Sequence, residues 1–288
     1  MPRRVALIGN PLRRRHSAVM HNAAFEANGI DARFELEEID EESLPAFVDS
    51  ARGPDWLGFG VTAPYKQRIM QLLDEVEPAA RAIGAVNNVV RTDDARLIGF
   101  NTDGTGFAAS VHDDLGVPLA GARVAVVGAG GAAHAVVHAC LTAGAATVAV
   151  ANRDPERAEQ LVATLTGQGQ ATDSVVSTHA LDDPGFLDVL ADVGLLVNAT
   201  TVGMVDSGVV VDPARLPPTA AVFDLVYVPA QTALVTRSRE RGLRACNGAG
   251  MLVAQGAAAF ERWTGVSGTA EVMRRAIEPL LEDPDASA

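Results

Sequence analysis

Lys66 is the single lysine in a chain that carries 22 arginines. An Ala-, Gly- and Arg-rich composition replaces lysine wherever either cation will do, so a retained lysine points to a site where the exchange fails. Proton transfer is such a site, because an amine can release its proton near neutral pH and a guanidinium cannot. The plain alternative is a lysine that survives by chance on a surface helix. A second concentration of charge is Arg13-Arg14-Arg15, within a first 25 residues that hold five arginines and no acid. It reads equally as a solvated loop or as an attractor for a small anionic molecule.

The segment from Arg123 to Ala133 carries a different chemistry. An apolar strand runs into Gly128-Ala129-Gly130-Gly131-Ala132-Ala133, a helical pattern follows, and a further strand begins near Thr147. That is the context of a dinucleotide-binding turn. The first glycine allows the tight bend, the second lets a pyrophosphate approach the backbone, and the small third residue lets helix pack on strand. Free amides at the helix start then bind the phosphates. At the end of the second strand stand Asn152-Arg153-Asp154, with Arg157 one helical turn on. Two arginines and an amide favour the 2'-phosphate of NADP, while Asp154 pulls toward NAD unless it caps the helix at Pro155 and faces away. The run Asn198-Ala199-Thr200-Thr201-Val202-Gly203-Met204 follows another buried strand, where a loop would cover a nicotinamide or simply turn the chain.

These residues need elements to hold them. Short apolar strands alternate with helical patterns over Val5–Ile8, Val19–Ala27, Phe34–Ile39, Leu44–Val48 and Leu57–Thr62, which predicts a largely parallel sheet. Val86–Val90 and Arg96–Gly99 flank a hairpin turn at Asp93-Asp94-Ala95. Asn101-Thr102-Asp103-Gly104 starts a helix that Thr102 or Asp103 can cap. A second series of strands, Val124–Val127, Thr147–Val150, Leu195–Asn198 and Ala221–Leu225, predicts a second sheet. Helices are expected at Thr232–Arg241, Met251–Trp263 and Thr269–Leu281. The length of 288 residues suits two domains.

Composition bounds the partners. Hydrophobic residues make up 48% and charged residues 20%, as in globular proteins, and the net charge of −13 would repel nucleic acid. The uncharged stretch from Val124 to Asn152 is long enough for a membrane span, but its four glycines, His134 and His138 read as strand, turn, helix and strand. No signal peptide is expected before Val5. Cys140 and Cys246 have no metal-ligand spacing, so no metal is expected and a reduced cytoplasmic setting fits.

Taken in order, Gly9-Asn10-Pro11 with His21-Asn22, Val61-Thr62-Ala63-Pro64-Tyr65-Lys66, Gly84-Ala85-Val86-Asn87, Asn101-Thr102-Asp103-Gly104, the Gly128 turn, Asn152-Arg153 to Arg157, Asn198 to Met204, and Gly248 to Gln255 resemble the motifs of the shikimate dehydrogenase family. The likeness spans nearly the whole chain. It implies a two-domain α/β fold: an N-terminal α/β substrate domain, residues 1–104 completed by helices in 243–288, and a Rossmann-type dinucleotide-binding domain, residues 105–242. It further implies NADP-dependent reduction of 3-dehydroshikimate to shikimate, a step toward aromatic amino acids, in a monomer or homodimer. Lys66 and Asp103 would form the catalytic pair. Ser17, Thr62, Asn87, Tyr227 and Gln255 would hold the substrate, and Thr200, Gly203, Met204 and Gly248 would join the Gly128 turn in holding the cofactor.

Two positions depart from the resemblance. The family's Ser-x-Ser, whose hydroxyls grip the substrate carboxylate, stands here as Arg15-His16-Ser17, so only the second serine remains. Arg15 can replace the lost hydroxyl by a bidentate grip, shift the substrate preference, or point to solvent. Gly60 stands where the family often has Asn. Quinate or aminoshikimate with NAD or NADP is the nearest alternative chemistry, and a non-catalytic dinucleotide sensor is the alternative of another class. The sensor would need neither Lys66 nor Asp103.

Overall fold

The computed structural model describes residues 2–12, 14–167 and 173–282. The chain divides into two compact units, Met1–Asp103 with Leu252–Ala288, and Gly104–Met251. Both crossings fall at helix starts.

In the first unit, β1 (Arg3–Gly9), α1 (His16–Ala27), β2 (Ala32–Glu38), α2 (Leu44–Ser50) and β3 (Trp56–Val61) follow the expected alternation. The chain continues through β4 (Glu75–Val76), α3 (Pro78–Ile83), β5 (Asn88–Arg91) and β6 (Leu97–Phe100). The sheet order is β2-β1-β3-β5-β6-β4. It is mixed rather than largely parallel: β1 pairs parallel with β2 and β3, but β5 runs antiparallel to both β3 and β6. The physical reason is the hairpin at 92–96, where Ala95 takes a positive φ of 65° and Thr92 N–H donates to Arg96 O at 2.9 Å, forcing an antiparallel return. Period-two alternation in β1 sends Val5 to one face and Ala6 and Ile8 to the other, while in β3 a register shift at the Arg4/Val5 pairing places Leu57 with Val5 and Phe59 and Val61 with Ala6 and Ile8. The returning helices cover the first face with Val253, Phe260, Trp263, Met273 and Ile277.

The second unit begins with α4 (Asp103–Leu115), whose first residue closes the first unit. It then alternates β7 (Arg123–Val127), α5 (Gly131–Thr142), β8 (Thr147–Asn152), α6 (Pro155–Thr166), β9 (Val175–Ala180), α7 (Pro184–Leu190), β10 (Leu195–Asn198), β11 (Ala221–Asp224), α8 (Ala233–Glu240) and β12 (Arg244–Asn247). The order β12-β11-β10-β7-β8-β9, with every pair parallel, is a doubly wound Rossmann-type sheet. Residues 243–251 were expected in the first domain. They belong to the second because β12 pairs with β11 along Ala221–Asp224. α9 (Ala249–Thr264) and α10 (Ala270–Glu282) end the described chain.

Candidate active site

In the first unit the segment after β3 is clamped on both sides of Lys66. Thr62 N–H extends the ladder to Ile8 O at 2.9 Å, and Tyr65 N–H donates to Thr62 O at 3.0 Å. The buried Tyr65 hydroxyl donates to Ile39 O at 2.6 Å, and Val86 N–H holds Lys66 O at 2.8 Å. With its backbone fixed in a turn rather than on a surface helix, Lys66 Nζ donates to Asp103 Oδ2 at 2.5 Å. The side chains are 20% and 10% exposed, sheltered enough to strengthen the pair and open enough to reach a ligand.

Asp103 is fixed from the other side. Asn87 Nδ2 donates to its Oδ1 at 2.8 Å, and Asn101 Oδ1 accepts its backbone N–H at 2.9 Å. The helix start is therefore served by Asn101. Asp103 is engaged with Lys66 and Asn87, while Thr102 Oγ1 accepts from Asn87 and Asn88 and donates to Gln255 Oε1 at 3.4 Å. Lys66, Asp103, Asn87 and Gln255 thus share one network. Thr62 sits half-buried at its margin in sequence, four residues before the lysine.

Ser17 lies half-buried in the first turn of α1, and its carbonyl accepts from His21 Nδ1 at 2.8 Å. His21 stacks on Phe34 with ring centroids 4.5 Å apart, and burial lowers its pKa to about 4. Arg15 occupies the position before α1, exposed and without an ion pair to any described residue. Arg13 lies outside the described residues. His16, between Arg15 and Ser17, is buried, and burial followed by the Arg14 charge lowers its pKa.

In the second unit, Gly128 follows β7 and Asn198 ends the adjacent strand β10, at the carboxyl edge where the winding reverses and doubly wound sheets bind ligands. Gly128 has φ 117°, and a Cβ on it would fall 2.8 Å from Ala199 O. At Gly130 a Cβ would meet nothing within 4 Å, so the extended backbone before α5 is open to an approaching phosphate. Ala129 and Ala133 are buried; Gly131 and Ala132 form the half-buried first turn of α5. This cradle fits a dinucleotide. Asn152 Nδ2 donates to Asp154 O at 2.9 Å, while Arg153 and Arg157 are exposed and ion-pair with no described residue. Asp154 stands at the cap position of α6, yet its side chain makes no capping bond.

The loop after β10 is tied to a buried carboxylate. Asn198 Oδ1 accepts from Thr200 N–H at 3.0 Å and from Thr200 Oγ1 at 2.7 Å, and Asn198 Nδ2 donates to Asp224 Oδ1 at 2.8 Å. Thr232 Oγ1 donates to Asp224 Oδ2 at 2.7 Å. Burial raises the Asp224 pKa and these bonds oppose the rise. Gly203 takes φ 90° and its N–H donates to Asp206 Oδ1 at 3.1 Å, one residue before the half-buried Met204. Tyr227 is half-buried after β11. Gly248 has a backbone reason to be glycine, since a Cβ would fall 2.2 Å from Leu225 O.

A family model described as the shikimate dehydrogenase substrate binding domain matches residues 7–89, one described as shikimate / quinate 5-dehydrogenase matches residues 110–182, and one described as the shikimate 5'-dehydrogenase C-terminal domain matches residues 248–278. A shikimate dehydrogenase (NADP(+)) of Geobacter metallireducens is 42% identical over 279 residues, covering 96% of each chain. The chain belongs to the shikimate dehydrogenase family. Among solved members, the Thermus thermophilus shikimate 5-dehydrogenase in complex with NADP(H) and shikimate is 34% identical, with a TM-score of 0.85 over 96% of this chain and 99% of that one. Quinate dehydrogenase from Corynebacterium glutamicum in complex with NAD is 31% identical, with a TM-score of 0.87 over 96% and 98%.

The match to the shikimate dehydrogenase substrate binding domain ends at Val89, so it takes in Lys66, Asn87 and Asn88. Sequence reasoning passed over Asn88, Asn101 and Asp224. Adjacent amides at the mouth of a strand were the available signal for Asn88, and a lone acid ending the apolar strand Ala221–Phe223 was the signal for Asp224. Among the described residues no cluster of His, Cys, Asp and Glu could hold a metal ion, and no helix is long and apolar enough to cross a membrane.

Proposed function

We propose that this chain catalyses the NADP-dependent reduction of 3-dehydroshikimate to shikimate, with Lys66 as proton donor and Asp103 as its partner. The observation that carries this reading is the 2.5 Å bond between the lone lysine and a carboxylate already held by Asn87. Reducing a ketone requires a hydride at carbon and a proton at oxygen, and the bound reduced nicotinamide supplies the hydride. Lys66 Nζ stabilises the alkoxide as it develops and gives it a proton. Asp103 holds the ammonium in place through Oδ2, while Asn87 fixes Oδ1. In the reverse direction the same amine accepts the proton.

Ser17, Thr62, Tyr227 and Gln255 are assigned to the hydroxyls and carboxylate of the substrate, and Arg15 to the carboxylate in place of a second serine. Gly128 to Ala132 would bind the pyrophosphate, Asn152, Arg153 and Arg157 the 2'-phosphate, and Thr200, Gly203, Met204 and Gly248 the nicotinamide end. The unpaired Arg153 and Arg157 support NADP, and Asp154, exposed and not capping, leaves NAD as a weaker cofactor. Exposed Arg15 favours one second reading, quinate as substrate, in line with the likeness to a quinate dehydrogenase.

Turnover of shikimate and quinate with NADP and with NAD, followed by nicotinamide absorbance, tests these assignments. Highest kcat/KM for shikimate with NADP is expected. Preference for quinate would replace the substrate, and binding of NADP without turnover of either acid would leave a sensor.

A further inference from the structure

Asn88, the first residue of β5, is 4% exposed. Its side chain lies two hydrogen bonds behind the catalytic carboxylate, through Asn87. Asn87 Oδ1 accepts the Thr102 backbone N–H at 2.9 Å, and because a backbone amide can only donate, this fixes which end of the Asn87 amide is oxygen. The Asn87 NH2 must then face Asp103 Oδ1. Asn88 Nδ2 donates to the same Asn87 Oδ1 at 2.9 Å and also to Thr102 Oγ1 at 3.0 Å. It therefore holds the oxygen of Asn87 from a second direction and ties down the residue preceding Asp103. The cross-strand partner of Asn88 is Gly60, where a Cβ would fall 3.5 Å from Asn88 Oδ1 and 3.1 Å from Leu7 Cδ1.

We propose that Asn88 is a positioning residue for the proton donor: its buried amide locks Asn87, Asn87 orients Asp103, and Asp103 holds Lys66. The order of bonds is Asn88 Nδ2 to Asn87 Oδ1, Asn87 Nδ2 to Asp103 Oδ1, and Lys66 Nζ to Asp103 Oδ2. Without the first bond Asn87 keeps a single restraint on its oxygen and can swing, and a flipped amide would set oxygen against the carboxylate. Asp103 then turns away from the ammonium. This inference rests on Lys66 and Asp103 being the catalytic pair.

The test is a double-mutant cycle on the full chain. Asn88→Leu removes the donor at similar volume, and Asn88→Asp keeps the shape while replacing the donor by an acceptor. Each should lower kcat about five- to tenfold, the worth of one orienting hydrogen bond, with NADPH affinity unchanged as evidence of a folded protein. In an Asn87→Ala background the same changes at position 88 should cost less than twofold, because the residue acted upon is gone. Equal losses in both backgrounds would make Asn88 a packing residue only and overturn the proposal. If the Asn88→Leu variant fails to fold, Asn88→Asp decides by the same comparison. Asp103→Asn measured alongside separates the two ideas: normal turnover in that variant refutes the catalytic pair, whereas a disabled Asp103→Asn with Asn88 variants within twofold of wild type refutes only the positioning role.

Discussion

Acid should loosen the first unit through one histidine. His21 is 3% exposed, stacked on Phe34, 5.3 Å from the Trp263 ring, and bonded through Nδ1 to Ser17 O. Burial lowers its pKa from 6.5 to about 4. Below pH 6.5 the unfolded chain takes up a proton that the folded chain refuses until about pH 4, so this contribution is complete above 6.5 and is lost as pH falls through that window. Two and a half pH units at about 1.4 kcal/mol each give about 3.5 kcal/mol. The perturbation is His21→Asn, whose amide can still donate to Ser17 O but does not titrate. Removing the ring leaves a cavity and costs stability by the same amount at every pH. Both tryptophans, Trp56 and Trp263, lie in the first unit, so urea unfolding followed by tryptophan fluorescence reports that unit alone. Between about pH 8 and pH 4.5 the wild type should lose roughly 2 to 3 kcal/mol more than the variant. Parallel decline of the two proteins would refute the argument, since it would place the acid sensitivity elsewhere, for instance at His16 or His138, whose pKa values burial also lowers.

Four further outcomes are expected. Lys66→Arg should keep fold and cofactor affinity while lowering kcat by roughly 100-fold or more, because the charge stays and the transferable proton goes; near-normal kcat would exclude Lys66 as donor. Arg153→Ala should weaken NADP binding by about 1.5 to 3 kcal/mol and leave NAD nearly unchanged in titration calorimetry, and equal losses would detach Arg153 from the 2'-phosphate. Arg15→Ser should change the ratio of kcat/KM between shikimate and quinate with little effect on the KM for NADP; a ratio and Michaelis constants all within about twofold would mean that Arg15 serves solvent. Gly248→Ala should lower Tm through a clash worth about 1 to 3 kcal/mol, and a variant of wild-type Tm with lost NADP affinity would make the glycine a cofactor contact instead.

The parts of this protein legible in its sequence are those whose signal is local. The Gly128 turn is read from a few consecutive residues because strand, bend and helix start succeed one another without interruption. Lys66 stood out because composition isolates it. What was not legible depends on partners distant in sequence. β12, Arg244–Asn247, is a strand only because β11 lies beside it, and without that pairing residues 243–251 look like part of the helical end. β9 is an edge strand of Ser, Thr and His among valines, with no clean alternation to announce it. At the start of α4 the Thr102 hydroxyl meets Asn87, Asn88 and Gln255, partners that lie far from it in sequence. The mixed sheet follows from the hairpin at 92–96, whose turn is local but whose effect on strand direction shows only in the pairing of β5 with β3.

The first unit is discontinuous, and this sets an order of events during synthesis. Val5, Met20, Phe25 and Leu57 share a core with Val253, Phe260, Trp263 and Met273, so one face of the β2-β1-β3 sheet is covered by α1 alone until the residues after Met251 have left the ribosome. The Rossmann-type unit, contiguous from Gly104 to Met251, can close meanwhile. For that interval the nascent chain carries a finished nucleotide-binding module behind an N-terminal segment whose apolar face is only partly covered, the kind of surface that chaperones engage. A premature stop near residue 250 would freeze that state, yielding a polypeptide able to fold its second half yet prone to aggregate through its first.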